Sequence, residues 1–279
     1  GLASLMYALS EGPSRGWTSP AIIGLGLGGV ALLGAMVRYE LRVSQPMIDL
    51  RLVGNKLFRS STIVLFIGMA ALLGTLYAVA LFFQDGLGLS ALNAGLSTFP
   101  EALGVMFGAQ ISTRLYPVVG PRRLMAAGLC GVAVLALAMT LVGFATSLWL
   151  VRVLMFFLGV SISHVFSPTQ AAAFATISQA ATGRASTLFN TARQVGSALG
   201  VALLTTVMSA VGVTHVVRGH RAANLAAFHW AFATAAAIAL VAARVALTIN
   251  DADAAPTMTR HPSKKSQARQ AATELAAAG

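Results

Sequence analysis

Charge is what this sequence has least of. Only 10% of its 279 residues are Asp, Glu, Lys or Arg, against about 25% in a soluble domain. By contrast 57% are hydrophobic and the mean hydropathy is +0.77. That balance excludes an ordinary water-soluble globule and predicts a membrane protein. Acid is scarcer still: 8 Asp and Glu face 19 Lys and Arg, giving a net charge of +11 and a pI of ≈ 11.2. Such a surplus suits nucleic acid when it lines one face or one tail. Here the basic residues lie in short clusters between apolar runs, which excludes a nucleic-acid partner. The single cysteine, Cys130 in "GLCGVAVLALAM", can form no intrachain disulfide and has no partner for a metal site. It reads as a small apolar residue.

Other absences remove chemistry. No cleavable presequence precedes the first apolar run, and because residue 1 is Gly1 and not Met, the chain is expected to be a fragment or a processed product. No serine sits in a G-x-S-x-G nucleophile elbow, and His215, His220 and His229 match no metal-ligand spacing. "GLGLGG" at Gly24 to Gly29 does satisfy the dinucleotide fingerprint. That fingerprint needs a preceding strand and free amides at a helix start, whereas these glycines lie inside an apolar helix. No enzyme, cofactor or metal is expected.

What the chain has is long apolar runs. A spanning helix needs about 20 mainly apolar residues, and seven stretches qualify: near Thr18 to Val37, Ser60 to Phe83, Ala94 to Arg114, Leu124 to Gly143, Leu148 to Ser167, Thr187 to Ala210 and Leu225 to Leu247. The expected fold class is all-α and polytopic. With alternating sides, fourteen of the 19 basic residues fall on one side, among them Arg38, Arg59, Arg122, Arg123 and Arg184. Only Arg15, Arg218 and Arg221 fall on the other, while Arg152 and Arg193 lie within spans. By the positive-inside rule the C-terminus is cytoplasmic and residue 1 external. "GLASLMYALS" looks like the end of a preceding span. The last thirty residues, from Asn250, read as a mobile cytoplasmic tail.

The few polar groups inside spans are the candidate site. Ser186, Asn190, Arg193, Ser197 and Gly200 recur at spacings of four and three, so they share one helix side, which Thr187 and Gln194 widen. That side should point into the bundle or a wet cavity. Arg193 is either a structural tie between helices or a group that works on substrate or proton. Glu101 follows Pro100 on a stripe with Ser97, Gly104 and Gly108. It is either a proton carrier or a hydrated group near the external mouth. His164 is a hydrogen-bonded packing element or a coupling group. Arg152 is expected to snorkel to the external interface. Phe99, Phe107 and Phe166 offer apolar contacts, and the glycine pairs 24/28, 104/108 and 196/200 predict close helix approach.

Four segments then carry a resemblance: "ELRVSQPMIDLRLVGNKLFRSS", "FFQDGLGLSALNAGLSTFPEALG", "VGPRRLMAAGL" and "LFNTARQVGSALGVAL". Over residues 1 to 248 the chain resembles the fourteen-span drug/proton antiporter branch of the major facilitator superfamily, the multidrug efflux permeases. The likeness implies an external loop and span end over 1–17, a linker helix over 18–38, an amphipathic cytoplasmic elbow over 39–59, a C-terminal six-helix transporter half over 60–248 and a disordered tail over 249–279. It implies proton-coupled efflux of small amphipathic molecules by alternating access, in a bacterial cytoplasmic membrane. It also implies an N-terminal half-bundle as partner, which is not in this sequence. The chain departs from the family's basic loop motif: Pro117 and Val118 stand where an acidic residue and an arginine are usual. Export of a specific metabolite, or a non-transporting membrane interaction subunit, remain as alternatives.

Overall fold

A computed structural model describes residues 1–40, 42, 50–217 and 220–258. All seven predicted spans are helices, preceded by one shorter helix. In order they are α1 (Leu2–Arg15), α2 (Pro20–Glu40), α3 (Lys56–Leu81), α4 (Ala91–Val119), α5 (Pro121–Met139), α6 (Leu148–Phe174), α7 (Thr182–Val211) and α8 (Leu225–Ala246). Their starts follow local chemistry. Asn55, Ser90, Ser147 and Asn224 cap α3, α4, α6 and α8 by accepting first-turn amides, and Pro121 opens α5 where its missing N–H costs nothing.

Among the described residues six helices are long and apolar enough to cross a membrane: α2, α3, α5, α6, α7 and α8. The chain is thus a multi-pass membrane protein. Helix α4 matches them in length, at 29 residues, but Asn93, Glu101, Gln110 and Arg114 dilute it. Its place in the bundle comes from packing on α6.

Helices α3 to α8 form two three-helix units with matching contacts. The most extensive packings are α4 on α6 and α7 on α3; α5 on α6 is mirrored by α8 on α3. Exchanging α3, α4, α5 for α6, α7, α8 maps each of these pairs onto its counterpart, the signature of an inverted repeat. Close approach needs small residues, as expected. A Cβ at Gly104 would overlap the Phe156 carbonyl, and one at Gly196 the Phe66 carbonyl. The core lies where α3, α5, α6 and α8 meet. There α8 buries a stripe of alanines, Ala227, Ala231, Ala235, Ala239, Ala242 and Ala246, at the spacing that keeps them on one face.

Helix α2 stands apart. It packs on α1 and leaves Leu25, Leu27, Val30 and Leu32 exposed, an apolar surface suited to lipid. Helix α1 in turn lies against α7, and Trp17 Nε1 donates to Thr206 Oγ1 at 3.0 Å.

Several expectations need correction. A Cβ at Gly24 or Gly28 meets nothing within 4 Å, so that pair is not a packing motif; Gly29 makes the close contact, against Gly1 and Leu5. The all-α class holds, and the loop between α7 and α8 adds only a short two-stranded antiparallel hairpin, β1 (Thr214–Val217) and β2 (His220–Ala223). The tail does not begin mobile: Asp251–Ala254 form a 3-10 turn and Ala255–Met258 a helical turn, because Asn250 caps them and Ala254 is buried. Residues 259–279 of the expected tail and 41 and 43–49 of the expected elbow lie outside the described residues.

Candidate functional site

Two cavities flank α3 and α6. The first, about 270 Å³, is lined by Met69 and Leu72 of α3, Glu101, Val105 and Ala109 of α4, and Ile162, Ser163, Phe166 and Ser167 of α6. The second, about 500 Å³, is lined by Leu73 of α3, Gln194, Ser197, Ala198 and Val201 of α7, and Met6 and Tyr7 of α1. Their α4 and α7 walls are counterparts under the internal repeat, while α1 completes the second cavity. Aligning Gly104 on Gly196 by their carbonyl contacts places Val105 on Ser197 and Ala109 on Val201. The same alignment places Glu101 on Arg193, each three residues before its glycine. The repeat is also written in the chain: Glu101 to Gly108 reads E-x-x-G-x-x-x-G and Arg193 to Gly200 reads R-x-x-G-x-x-x-G.

Close packing fixes both charges. Gly104 and Gly108 bring α4 onto α6, while Cβ atoms at Gly159 of α6 would overlap the Glu101 carbonyl. The Glu101 side chain is therefore held at the edge of the α4–α6 contact and set into a well with mostly apolar walls. Gly196 and Gly200 do the same for α7 on α3. The Arg193 guanidinium lies 6.0 Å from the Phe166 ring centroid, within cation–π range. Since Phe166 lines the Glu101 well, Arg193 reaches from one repeat towards the cavity of the other. No ion pair to Arg193 or Glu101 occurs among the described residues; the one found there joins Arg15 and Glu11.

The remaining predicted residues divide. Gln194 lines the second cavity. Asn190 is exposed and turns back on its own helix, Nδ2 donating to the Ser186 carbonyl at 2.9 Å. His164 lines neither of these cavities. Its Nδ1 lies 2.7 Å from the Val160 carbonyl, and its Cβ faces Gly128 of α5, the geometry of a packing residue. Arg152 is anchored near the start of α6. Its Nη2 donates to Ser97 Oγ at 3.4 Å and its guanidinium carbon lies 5.0 Å over the Trp149 ring. The contact gives the buried Ser97 hydroxyl of α4 a polar partner. Phe99 and Phe107 are exposed on α4, and Phe166 alone of the three lines the first cavity.

Comparison with known proteins agrees with this architecture. Residues 2–201 match the Major Facilitator Superfamily. The chain is 32% identical over 214 residues to the lincomycin resistance protein LmrB of Listeria innocua, covering 75% of this chain and 45% of that protein. It is 31% identical over 211 residues to the puromycin resistance protein pur8 of Streptomyces alboniger (74% and 42%). It is 29% identical over 218 residues to the drug efflux pump JefA of Mycobacterium tuberculosis (75% and 41%). The chain thus spans less than half the length of these three relatives. With an inverted repeat of packed helices and a family match over most of its length, the chain belongs to the Major Facilitator Superfamily.

Proposed function

We propose that this chain is the C-terminal part of a proton-coupled permease that exports drugs or other small amphipathic molecules by alternating access. Its partners are the small amphipathic substrate, the lipid bilayer and an N-terminal half-bundle. It resides in a bacterial cytoplasmic membrane, with the C-terminus inside and residue 1 outside. The observation that carries the reading is Glu101 in the wall of the first well, with Arg193, at the matching position of the repeat, reaching Phe166 of that same wall. A bundle stiffened at Gly104, Gly108, Gly196 and Gly200 has two preferred packings rather than a soft continuum. Charges at the cavity walls are where a proton and a substrate can bias that choice. Apolar walls with one carboxylate suit an amphipathic guest, and the resistance proteins among the relatives support export as the direction.

In this mechanism Glu101 takes up and releases the coupling proton. Arg193, held over Phe166, sets the field that substrate and proton meet, and Gln194 offers a neutral polar contact in the second well. No bond in the substrate is made or broken, and no cofactor is required. The test is proton-driven dye efflux in inverted vesicles containing the full-length permease. Glu101→Gln should abolish the dependence on the pH gradient and Arg193→Ala should lower the rate. Wild-type efflux in both variants would defeat the site assignment.

A further inference from the structure

The turn between α4 and α5 has an electrostatic problem that the turn itself does not solve. Helix α5 begins with Pro121, Arg122 and Arg123 and has no acidic residue in its first turn, so cations sit at the positive end of its dipole. Its cap position is Gly120, at φ +82, which has no side chain to receive an amide. Residues 117 and 118, just before, are Pro and Val. A carboxylate nevertheless arrives, from 129 residues away: Asp251 Oδ1 accepts the Arg122 N–H at 2.9 Å. Glycine is required at 120 on two counts. Its φ is left-handed, and a Cβ there would lie 2.8 Å from the Asp251 carboxyl carbon.

A second clip lies beside the first. Tyr116 Oη and Thr257 Oγ1 are 2.8 Å apart, joining the last turn of α4 to the helical turn Ala255–Met258. Ile249 and Ala254 of the same stretch are buried. On its other side the same segment meets α3, where Thr248, Asn250 and Asp253 share a polar cleft of about 370 Å³ with Lys56, Arg59 and Ser60. The stretch after α8 is thus fastened to the last turn of α4 and the basic start of α5, and borders the basic start of α3.

We propose that Asp251 is a positioning residue of the transport cycle: it straps the α4–α5 turn to the segment after α8, so that the helix bearing Glu101 moves as one body with α5 and α8. This rests on the transporter reading above. The strap replaces, from outside the turn, the acidic group that residues 117 and 118 do not supply.

The experiment uses the full-length permease with Cys130→Ser, Tyr116→Cys and Thr257→Cys, treated in membranes with a short bis-thiol reagent. Cross-linking is read as protection from a later maleimide–polyethylene glycol gel shift. The pair should cross-link readily, and adding Asp251→Ala should slow the reaction about fivefold, as expected for loss of a helix cap. Asp251→Asn, which keeps an oxygen for the Arg122 amide, should recover part of the rate. Efflux per transporter molecule should fall in Asp251→Ala with the KM for dye unchanged, and the cross-linked protein should still export. Equal cross-linking in Asp251→Ala would overturn the strap, and loss of export on cross-linking would overturn movement as one body. Should the unsubstituted permease export no probe at all, the transporter reading falls, while the cross-linking rates still judge the strap.

Discussion

Replacing Gly200 by alanine tests the bundle at one of its two tight seams. A Cβ there would lie 2.5 Å from the Ala70 carbonyl carbon and Cα and closer still to its oxygen, whereas ordinary contact begins at 3.4 Å. Backbone atoms cannot rotate away, so α3 and α7 must part by about 1 Å along a dense interface. Overpacking of this kind costs about 1–3 kcal/mol, and a backbone clash belongs at the upper end. Alanine returns about 1 kcal/mol of helix propensity, leaving a net loss of about 2 kcal/mol. At about 2–4 °C per kcal/mol for a protein of this size, the midpoint should fall by about 4–8 °C. Gly28→Ala is the control: nothing lies within 4 Å of its Cβ, so only the propensity gain acts. The assay is the fraction of detergent-purified protein that survives heating as a monodisperse peak. A Gly200→Ala midpoint at or above the wild type would refute the packing argument, and so would an equal fall in Gly28→Ala.

The other predictions concern the wells. Phe166→Ala removes both a wall of the Glu101 cavity and the ring beneath Arg193. The KM for bulky dyes should rise, and Phe166→Trp should restore it, since indole is the better cation–π face. An unchanged KM in Phe166→Ala would detach that ring from the substrate path. His164→Gln should leave the pH profile of efflux in place, because the imidazole is tied to Val160 of its own helix; a displaced profile would return His164 to the coupling groups.

The helices were legible because hydropathy acts locally: a run such as "AFATAAAIALVAARVA" has one low-energy state in lipid whatever its neighbours do. Glu101 and Arg193 were legible as candidates for the same reason, being costly exceptions in such runs. Direction was harder to read. Spacing placed Arg152 near a helix end but not its choice of Ser97, which depends on α4 lying alongside. The Gly24/Gly28 pair carried the same spacing as Gly196/Gly200 and differed only in what stands opposite. The Asp251 contact was hidden in a stretch whose small and polar residues suggest mobility, because a cap formed across 129 residues leaves no local periodicity.

One long-range feature was nevertheless written in the chain. E-x-x-G-x-x-x-G in α4 and R-x-x-G-x-x-x-G in α7 share the glycines that set helix approach and differ in the sign of the charge. The glycines must match because both seams, α4 on α6 and α7 on α3, use the same geometry of small residue against backbone carbonyl. The charges are free to differ because they lie at the edge of those seams, Glu101 in the first cavity and Arg193 beside Phe166 of its wall. Two like charges sharing the surroundings of Phe166 would raise each other's cost in an apolar setting, whereas opposite charges lower it without needing direct contact. Packing therefore preserves the repeat's symmetry, and electrostatics breaks it at one position, Glu101 against Arg193.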